Sequence, residues 1–319
     1  MKGVLVTGGT GFVGRHLVHE LTSTRASVSV ISRSKRDSDD DVQYYSVDVR
    51  EAENVHKLMR MIAPECVYHL AGVSAAATAD SNPKHTYEVN VLGSYNVFEA
   101  AMNQWRPAKV LNVSTSYVYA PSAGRLNEKS RTQQEGHYAS TKAIAESVAS
   151  QYRDHASRGI VTVRPFNHSG PGQSPEFVLS SIAMQFGEIE AGERPPVLTL
   201  GNVRVRRDFT DVRDVVKAYT ALMERGRCGE VYNVCSGKTV SIEEAVEMLR
   251  AITGIQAIVE IDSARVRRDD VLEICGDPAK VQGETGWTAR IPLEVTLRDL
   301  LNYWRQAVQD RMSVKLRTA

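Results

Sequence analysis

The chain has 319 residues, 42% hydrophobic and 24% charged, which is room for two lobes because ordinary domains cluster at about 100 to 150 residues. Its 39 Lys and Arg balance 38 Asp and Glu, so no overall field draws it to nucleic acid or to an anionic membrane, and neither is expected as a partner. The apolar runs fall far short of the roughly 20 residues that span a bilayer, and the first residues run straight into a strand pattern, so a soluble cytoplasmic protein without a signal peptide is expected.

Short apolar runs alternate with helical patterns through the first half, the signature of an α/β fold with a doubly wound parallel sheet. Strands are expected at residues 3–7, 27–31, 66–71, 109–114 and 160–164. Val55, Leu58, Met59 and Ile62 share one face of a helix between them. After Arg164 the stretch F-N-H-S-G-P-G-Q-S-P and an Arg-rich segment begin a smaller lobe. Ser241 followed three residues later by Glu244 predicts a capping box, and Gly254 closes that helix. Leu293, Leu297, Leu300, Leu301 and Trp304 form the core stripe of a last helix, with residues 314–319 expected as a frayed end. Cys66, Cys228, Cys235 and Cys275 match no metal or redox spacing; three of them sit in apolar, strand-like contexts where buried thiols are expected, and no metal is expected.

V-L-V-T-G-G-T-G-F-V-G sets Gly8, Gly11 and Gly14 between the first strand and the first helix. Glycines there let the backbone turn tightly and approach a pyrophosphate, while the helix end offers unpaired N–H donors. The spacing G-x-x-G-x-x-G resembles the short-chain dehydrogenase/reductase superfamily in its extended branch, which implies a Rossmann domain and a nicotinamide cofactor. Phe12 and Val13 then belong to the cofactor turn. Ser32 and Arg33, with Lys35 and Arg36 behind, stand where an NAD enzyme commonly has an acidic residue, so NADP(H) is expected in preference to NAD(H). The resemblance implies further cofactor contacts at Asp48 and Val49, at Leu70, Ala71 and Gly72 after His69, at Asn90 and at Pro165.

Tyr138 and Lys142, four apart on a predicted helix, share a face, and a nearby ammonium is expected to lower the phenol pKa so that Tyr138 can serve as the acid in a reduction. Thr115 lies upstream in V-S-T-S-Y-V-Y-A, where the superfamily places the hydroxyl that aligns the substrate oxygen with the tyrosine. Thr115, Tyr138 and Lys142 are thus the expected catalytic set, with Tyr138 and Lys142 also touching cofactor. In the 4,6-dehydratases of this superfamily a carboxylate pair follows the Thr; here Ser116 and Tyr117 follow, which disfavours elimination of water but does not separate reduction from epimerisation.

From Arg164 to Gly237 the chain most resembles the GDP-4-keto-6-deoxy-D-mannose reductases, with the GDP-mannose 4,6-dehydratases close behind. The resemblance implies Asn167, Arg207 and Arg267 on a substrate diphosphate, Asn202, Thr115 and Ser116 also on substrate, a GDP-linked sugar, and a homodimer. The expected division is a cofactor domain at 1–165 with a returning segment at about 208–235, and a substrate lobe at 166–207 and 236–319. An NDP-sugar 4-epimerase, a GDP-mannose 4,6-dehydratase and a non-catalytic NADPH-sensing scaffold stay open beside the reductase.

Overall fold

The computed structural model describes residues 3–24, 26–33, 37–38, 41–122, 124–153, 158–266 and 271–318, with side chains through 313. Lys35, Arg36, Arg267 and Arg268 lie outside the described residues.

Seven parallel strands form the main sheet, in the spatial order Val231–Val234, Ile160–Pro165, Lys109–Val113, Cys66–His69, Val4–Thr7, Val28–Ser32, Val42–Ser46. The five strands expected from apolar runs are all present. To them the structure adds the edge strand Val42–Ser46 and the opposite edge Val231–Val234. Central strands such as Val4–Thr7 and Cys66–His69 are buried along their whole length, as a sheet covered by helices on both faces requires. One face packs Leu17, Val18 and Leu21 of the helix Phe12–Ser23 with Val215, Tyr219 and Leu222 of the helix Val212–Arg225. The other packs Val55, Leu58 and Met59 of Ala52–Ile62 with Val97, Phe98 and Ala101 of Gly93–Met102. Val281 and Trp287 also enter the first of these cores, so the short helix Ala279–Thr285 rests on the main sheet.

A third core gathers Leu179, Ile182 and Phe186 of Val178–Glu190, Val246 and Leu249 of Ile242–Thr253, and Leu297, Leu300 and Leu301 of Leu293–Thr318. The expected capping box is present: the Ser241 hydroxyl accepts from Glu244 N at 3.0 Å, and the Glu244 carboxylate accepts from Ser241 N at 2.6 Å. Gly254 ends that helix at φ +75°. The last helix departs from the expected frayed end, since its backbone stays helical to Thr318. Beside this core a small sheet joins Thr239–Ser241, Arg206–Asp211, Glu273–Gly276 and Arg125–Leu126, with Asn167–Ser169 alongside Arg206–Asp211. Among the described residues no helix is long and apolar enough to cross a membrane, and no group of three His, Cys, Asp or Glu could hold a metal.

Candidate active site

Strand order reverses between Val4–Thr7 and Cys66–His69, and ligands of doubly wound sheets bind in the crevice outside the C-terminal strand ends at such a point. Gly8 turns the chain there at φ +70°, and a Cβ on it would lie 2.8 Å from Ala71 N. At Gly14 a Cβ would lie 2.2 Å from Gly8 O, so the first helical turn rests directly on the glycine turn. Gly11 N–H donates to Gly8 O at 3.0 Å, and Gly11 caps Phe12–Ser23 without a side-chain partner for the first-turn N–H groups. Small residues and open donors of this kind fit the pyrophosphate of a dinucleotide. Val13 packs on the sheet core, while the Phe12 ring stacks on His168 with centroids 6.2 Å apart and planes 5° apart. From the same helix His16 Nε2 lies 2.9 Å from Pro171 O and Arg15 donates to Gly172 O at 3.2 Å.

Ser32 is buried at the end of its strand, 3.5 Å from the Thr10 hydroxyl, and Arg33 beside it is exposed. Asp48 accepts from Arg50 Nη2 at 2.8 Å and from Arg50 N at 2.9 Å, and the Arg50 guanidinium holds its carboxyl below the usual range. Val49 is buried, close enough to Gly93 that a Cβ there would meet its methyl at 2.7 Å. The turn Leu70, Ala71, Gly72 leaves no room either: a Cβ on Gly72 would lie 3.0 Å from Asn90 Oδ1 and 3.3 Å from Lys142 Nζ. Asn90 sits in a single π-helical turn, Glu88–Leu92, an irregularity frequent at functional sites. Its carboxamide accepts from Val73 N at 2.8 Å and donates to Thr141 Oγ1 at 3.1 Å.

The structure brings Thr115, Tyr138 and Lys142 together. Thr115 follows the strand Lys109–Val113 and caps the turn Ser116–Val118, accepting from Tyr117 N at 3.2 Å, and its hydroxyl faces the Tyr138 phenol closely enough to lower its pKa. Tyr138 and Lys142 lie one turn apart on the helix Gly136–Ser150. Burial pushes the Tyr138 phenol up to about 12, against the Thr115 hydroxyl, which lowers it. The expected lowering by Lys142 is thus overturned in direction, for a physical reason: the Lys142 amine donates to Val113 O at 2.9 Å, and burial is the larger influence. Burial also brings Lys142 down to about 8, with Glu146 opposing it. A phenol in its neutral form at physiological pH is the state a proton donor requires. Ser116 is buried and the Tyr117 ring meets Tyr138 edge-on at 6.1 Å.

The expected substrate residues are less convergent. Pro165 ends its strand buried, and Asn167 follows, half-buried, with no side-chain hydrogen bond among the described residues. Arg207 is buried and donates to Arg206 O at 2.9 Å and Val271 O at 2.8 Å. Asn202 Oδ1 accepts from Arg204 N at 3.1 Å and so shapes its own turn.

Three features of the neighbourhood escaped the sequence reading. Glu146, one turn beyond Lys142, takes the buried Arg164 in two bonds of 2.9 and 2.6 Å; spacing alone places Glu146 on the Lys142 face, but not its partner. The buried Asp208 accepts from Ser236 N, Ser236 Oγ, Gly237 N and Gly276 N, and burial raises its carboxyl. A carboxylate inside a strand pattern is the available signal, since it must find donors. His69 is the third.

Residues 5–300 match the family described as GDP-mannose 4,6 dehydratase. The chain is 32% identical to the GDP-6-deoxy-D-mannose reductase of Pseudomonas aeruginosa, over 96% of this chain and 98% of that one. It is 28% identical to the GDP-6-deoxy-D-talose 4-dehydrogenase of Aggregatibacter actinomycetemcomitans, over 89% and 91%. The solved structure of RMD from Pseudomonas aeruginosa complexed with NADPH superposes with a TM-score of 0.85 at 31% identity, covering 96% of this chain and 99% of that one. With its Rossmann sheet, glycine turn and Thr-Tyr-Lys set, the chain belongs to the GDP-mannose 4,6-dehydratase family of extended short-chain dehydrogenases/reductases.

Proposed function

We propose that the chain is an NADPH-dependent reductase of the 4-keto group of a nucleotide-linked 6-deoxy hexose, taking GDP-4-keto-6-deoxy-D-mannose to GDP-D-rhamnose or its 4-epimer. The observation that carries the reading is the Thr115 hydroxyl beside the Tyr138 phenol, one helical turn from Lys142, in a chain this similar to a GDP-6-deoxy-D-mannose reductase. Dehydration is disfavoured because Ser116 and Tyr117, not carboxylates, follow Thr115.

NADPH, when bound, supplies the hydride. The turn from Gly8 to Gly14, with Phe12 and Val13, would hold its pyrophosphate. Ser32 and the exposed Arg33 would hold the 2′-phosphate; Asp48 and Val49 the adenine side; Leu70, Ala71, Gly72, Asn90 and Pro165 the nicotinamide side. Tyr138 gives its proton to the carbon-4 oxygen as negative charge develops, and Thr115 donates to that oxygen and aligns it. Lys142 holds the nicotinamide ribose and supports the phenolate left behind. Asn167, Arg207 and Arg267 bind the diphosphate, with Asn202 and Ser116 beside the substrate, so that binding energy far from the reaction positions the ketone. In this reading residues 1–165 with 208–235 serve the cofactor, and 166–207 with 236–319 serve the sugar nucleotide.

The exposed Leu92, Tyr95 and Ile144 on adjoining helices support a homodimer, which light scattering would size. Four free cysteines suit a reducing cytoplasm. The deciding assay mixes the protein with NADPH and a panel of 4-keto sugar nucleotides and follows the absorbance of reduced nicotinamide. One NADPH consumed per turnover with the GDP sugar is the expected result. Turnover with a retained nicotinamide and no net consumption would instead make the protein an epimerase, and equal rates with UDP or dTDP sugars would remove the GDP assignment.

A further inference from the structure

His69 is 3% exposed, lies at the end of the strand Cys66–His69, and takes part in no step described above. Its two ring nitrogens are both bonded: Nδ1 lies 2.8 Å from the Thr7 hydroxyl and Nε2 lies 2.9 Å from the Ser94 hydroxyl. The far ends of this chain fix where every proton sits. Asn90 O can only accept, so the Ser94 hydroxyl donates to it at 2.6 Å and must itself accept from His69 Nε2–H. Ala71 N–H can only donate, and it donates to Thr7 Oγ1 at 3.1 Å; the Thr7 proton is then turned to the bare Nδ1. The Ser94 end therefore requires the Nε2–H tautomer, and the Thr7 end fits it, since the Thr7 proton then meets the bare Nδ1. A second proton on the ring would turn the Thr7 hydroxyl away and strand its proton in the core, where an unmet donor is expensive. Burial and the nearby Lys142 ammonium oppose that proton as well, bringing His69 down to about 3. The edge of Phe98, with ring centroids 5.5 Å apart, completes its surroundings.

The three segments so tied are those that frame the cleft: Thr7 precedes Gly8, Ala71 belongs to the tight 70–72 turn, and Asn90 O belongs to the π turn. From that turn the Asn90 carboxamide donates to Thr141 Oγ1, whose hydroxyl donates to Tyr138 O at 2.9 Å. Hydrogen bonds thus run from Thr7 through His69 and Ser94 to Asn90 O, and, across the covalent frame of Asn90, from its carboxamide to the backbone of Tyr138.

We infer that His69, as a neutral imidazole with its proton on Nε2, is a positioning residue that holds the glycine turn, the 70–72 turn and the Asn90 turn in the one arrangement that seats the nicotinamide against Tyr138. The part of this that concerns turnover rests on the reductase reading. The ring, shut off from solvent, acts through Thr7, Ser94 and Asn90.

The test uses the full-length protein with ¹⁵N-labelled histidine. Long-range ¹⁵N–¹H spectra, with the His69 signal assigned by its loss in His69→Gln, should show the Nε2–H tautomer unchanged between about pH 5 and 9, where free histidine titrates. A ring that titrates in that range, or that carries its proton on Nδ1, overturns the proposal. Alongside, His69→Phe removes both bonds and His69→Gln keeps one acceptor and one donor. We expect the KM for NADPH to rise and kcat/KM to fall by about 10²-fold in His69→Phe, the effect of misplacing a reacting group by about an ångström. The Gln variant should stay within about tenfold of wild type. Unchanged NADPH affinity and turnover in His69→Phe would end the positioning role. The spectra, and NADPH affinity read by nucleotide fluorescence, need no sugar, so they decide the matter even if no 4-keto sugar is reduced, and a poorly folded His69→Phe leaves the tautomer measurement intact.

Discussion

Replacing Glu146 by Gln tests how the catalytic helix is anchored. Glu146 and Arg164 are 12% and 9% exposed in their side chains and meet through two short bonds, while Arg164 Nη1 is buried without a hydrogen-bond partner. Glu146→Gln therefore strands a guanidinium that burial disfavours and that Glu146 keeps charged. Breaking one side of a buried pair costs about 3–5 kcal/mol, whereas removing both sides with Glu146→Gln plus Arg164→Met should recover most of that. Urea unfolding with linear extrapolation measures the three variants. The same substitution reaches the chemistry through Lys142, whose pKa of about 8 reflects burial opposed by Glu146. Without that carboxylate the amine loses its proton at lower pH. Activity that needs the ammonium is present below the Lys142 pKa and lost as pH rises through it, so the alkaline limb of kcat/KM, near pH 8 in wild type, should move down in Glu146→Gln. A variant within about 1 kcal/mol of wild type with an unmoved limb would refute the reasoning, because it would mean that the pair neither bears on the fold nor touches Lys142.

Tyr138→Phe removes the proton donor and should lower kcat by about 10²- to 10⁴-fold while NADPH affinity changes little, which stopped-flow oxidation and fluorescence titration would separate. Arg33→Ser removes an exposed cation at the end of its strand; the ratio of kcat/KM for NADPH over NADH should fall by about tenfold or more, and an unchanged ratio would assign the preference elsewhere. Gly14→Ala puts a methyl 2.2 Å from Gly8 O, so the turn must open, and calorimetry should find dinucleotide binding abolished or the melting temperature sharply lowered.

The parts of this molecule legible in sequence are those with local causes. The glycine turn, the Ser241–Glu244 cap and the Tyr138–Lys142 face each follow from spacing within a few residues, and each stands as expected. The strand Val42–Ser46 is absent from the strands expected from sequence because its middle residues, Gln43, Tyr44 and Tyr45, lie on a partly exposed edge and give no clean apolar run. The pairing of Arg125–Leu126 with Glu273–Gly276 joins segments far apart in the chain, and nothing local announces it. The Tyr138 shift runs opposite to the expected direction because spacing places an ammonium on the right face but does not say where it points; the Val113 carbonyl decides that. His69 stood within a recognisable turn, yet its partners Thr7 and Ser94 lie 62 residues before and 25 after it, so its tautomer is a property of the assembled core alone.

The helix Phe12–Ser23 serves two masters. Its first turn closes the glycine loop, and the same turn grips residues 168–172 through the Phe12 ring on His168, the His16 imidazole at Pro171 O and the Arg15 guanidinium on Gly172 O. Anyone who grafts a different 166–173 segment into this scaffold, in search of another sugar, would disturb the nucleotide turn unless positions 12, 15 and 16 travel with the graft. Laboratory evolution of this scaffold should accordingly find its changes at these two stretches arriving in pairs.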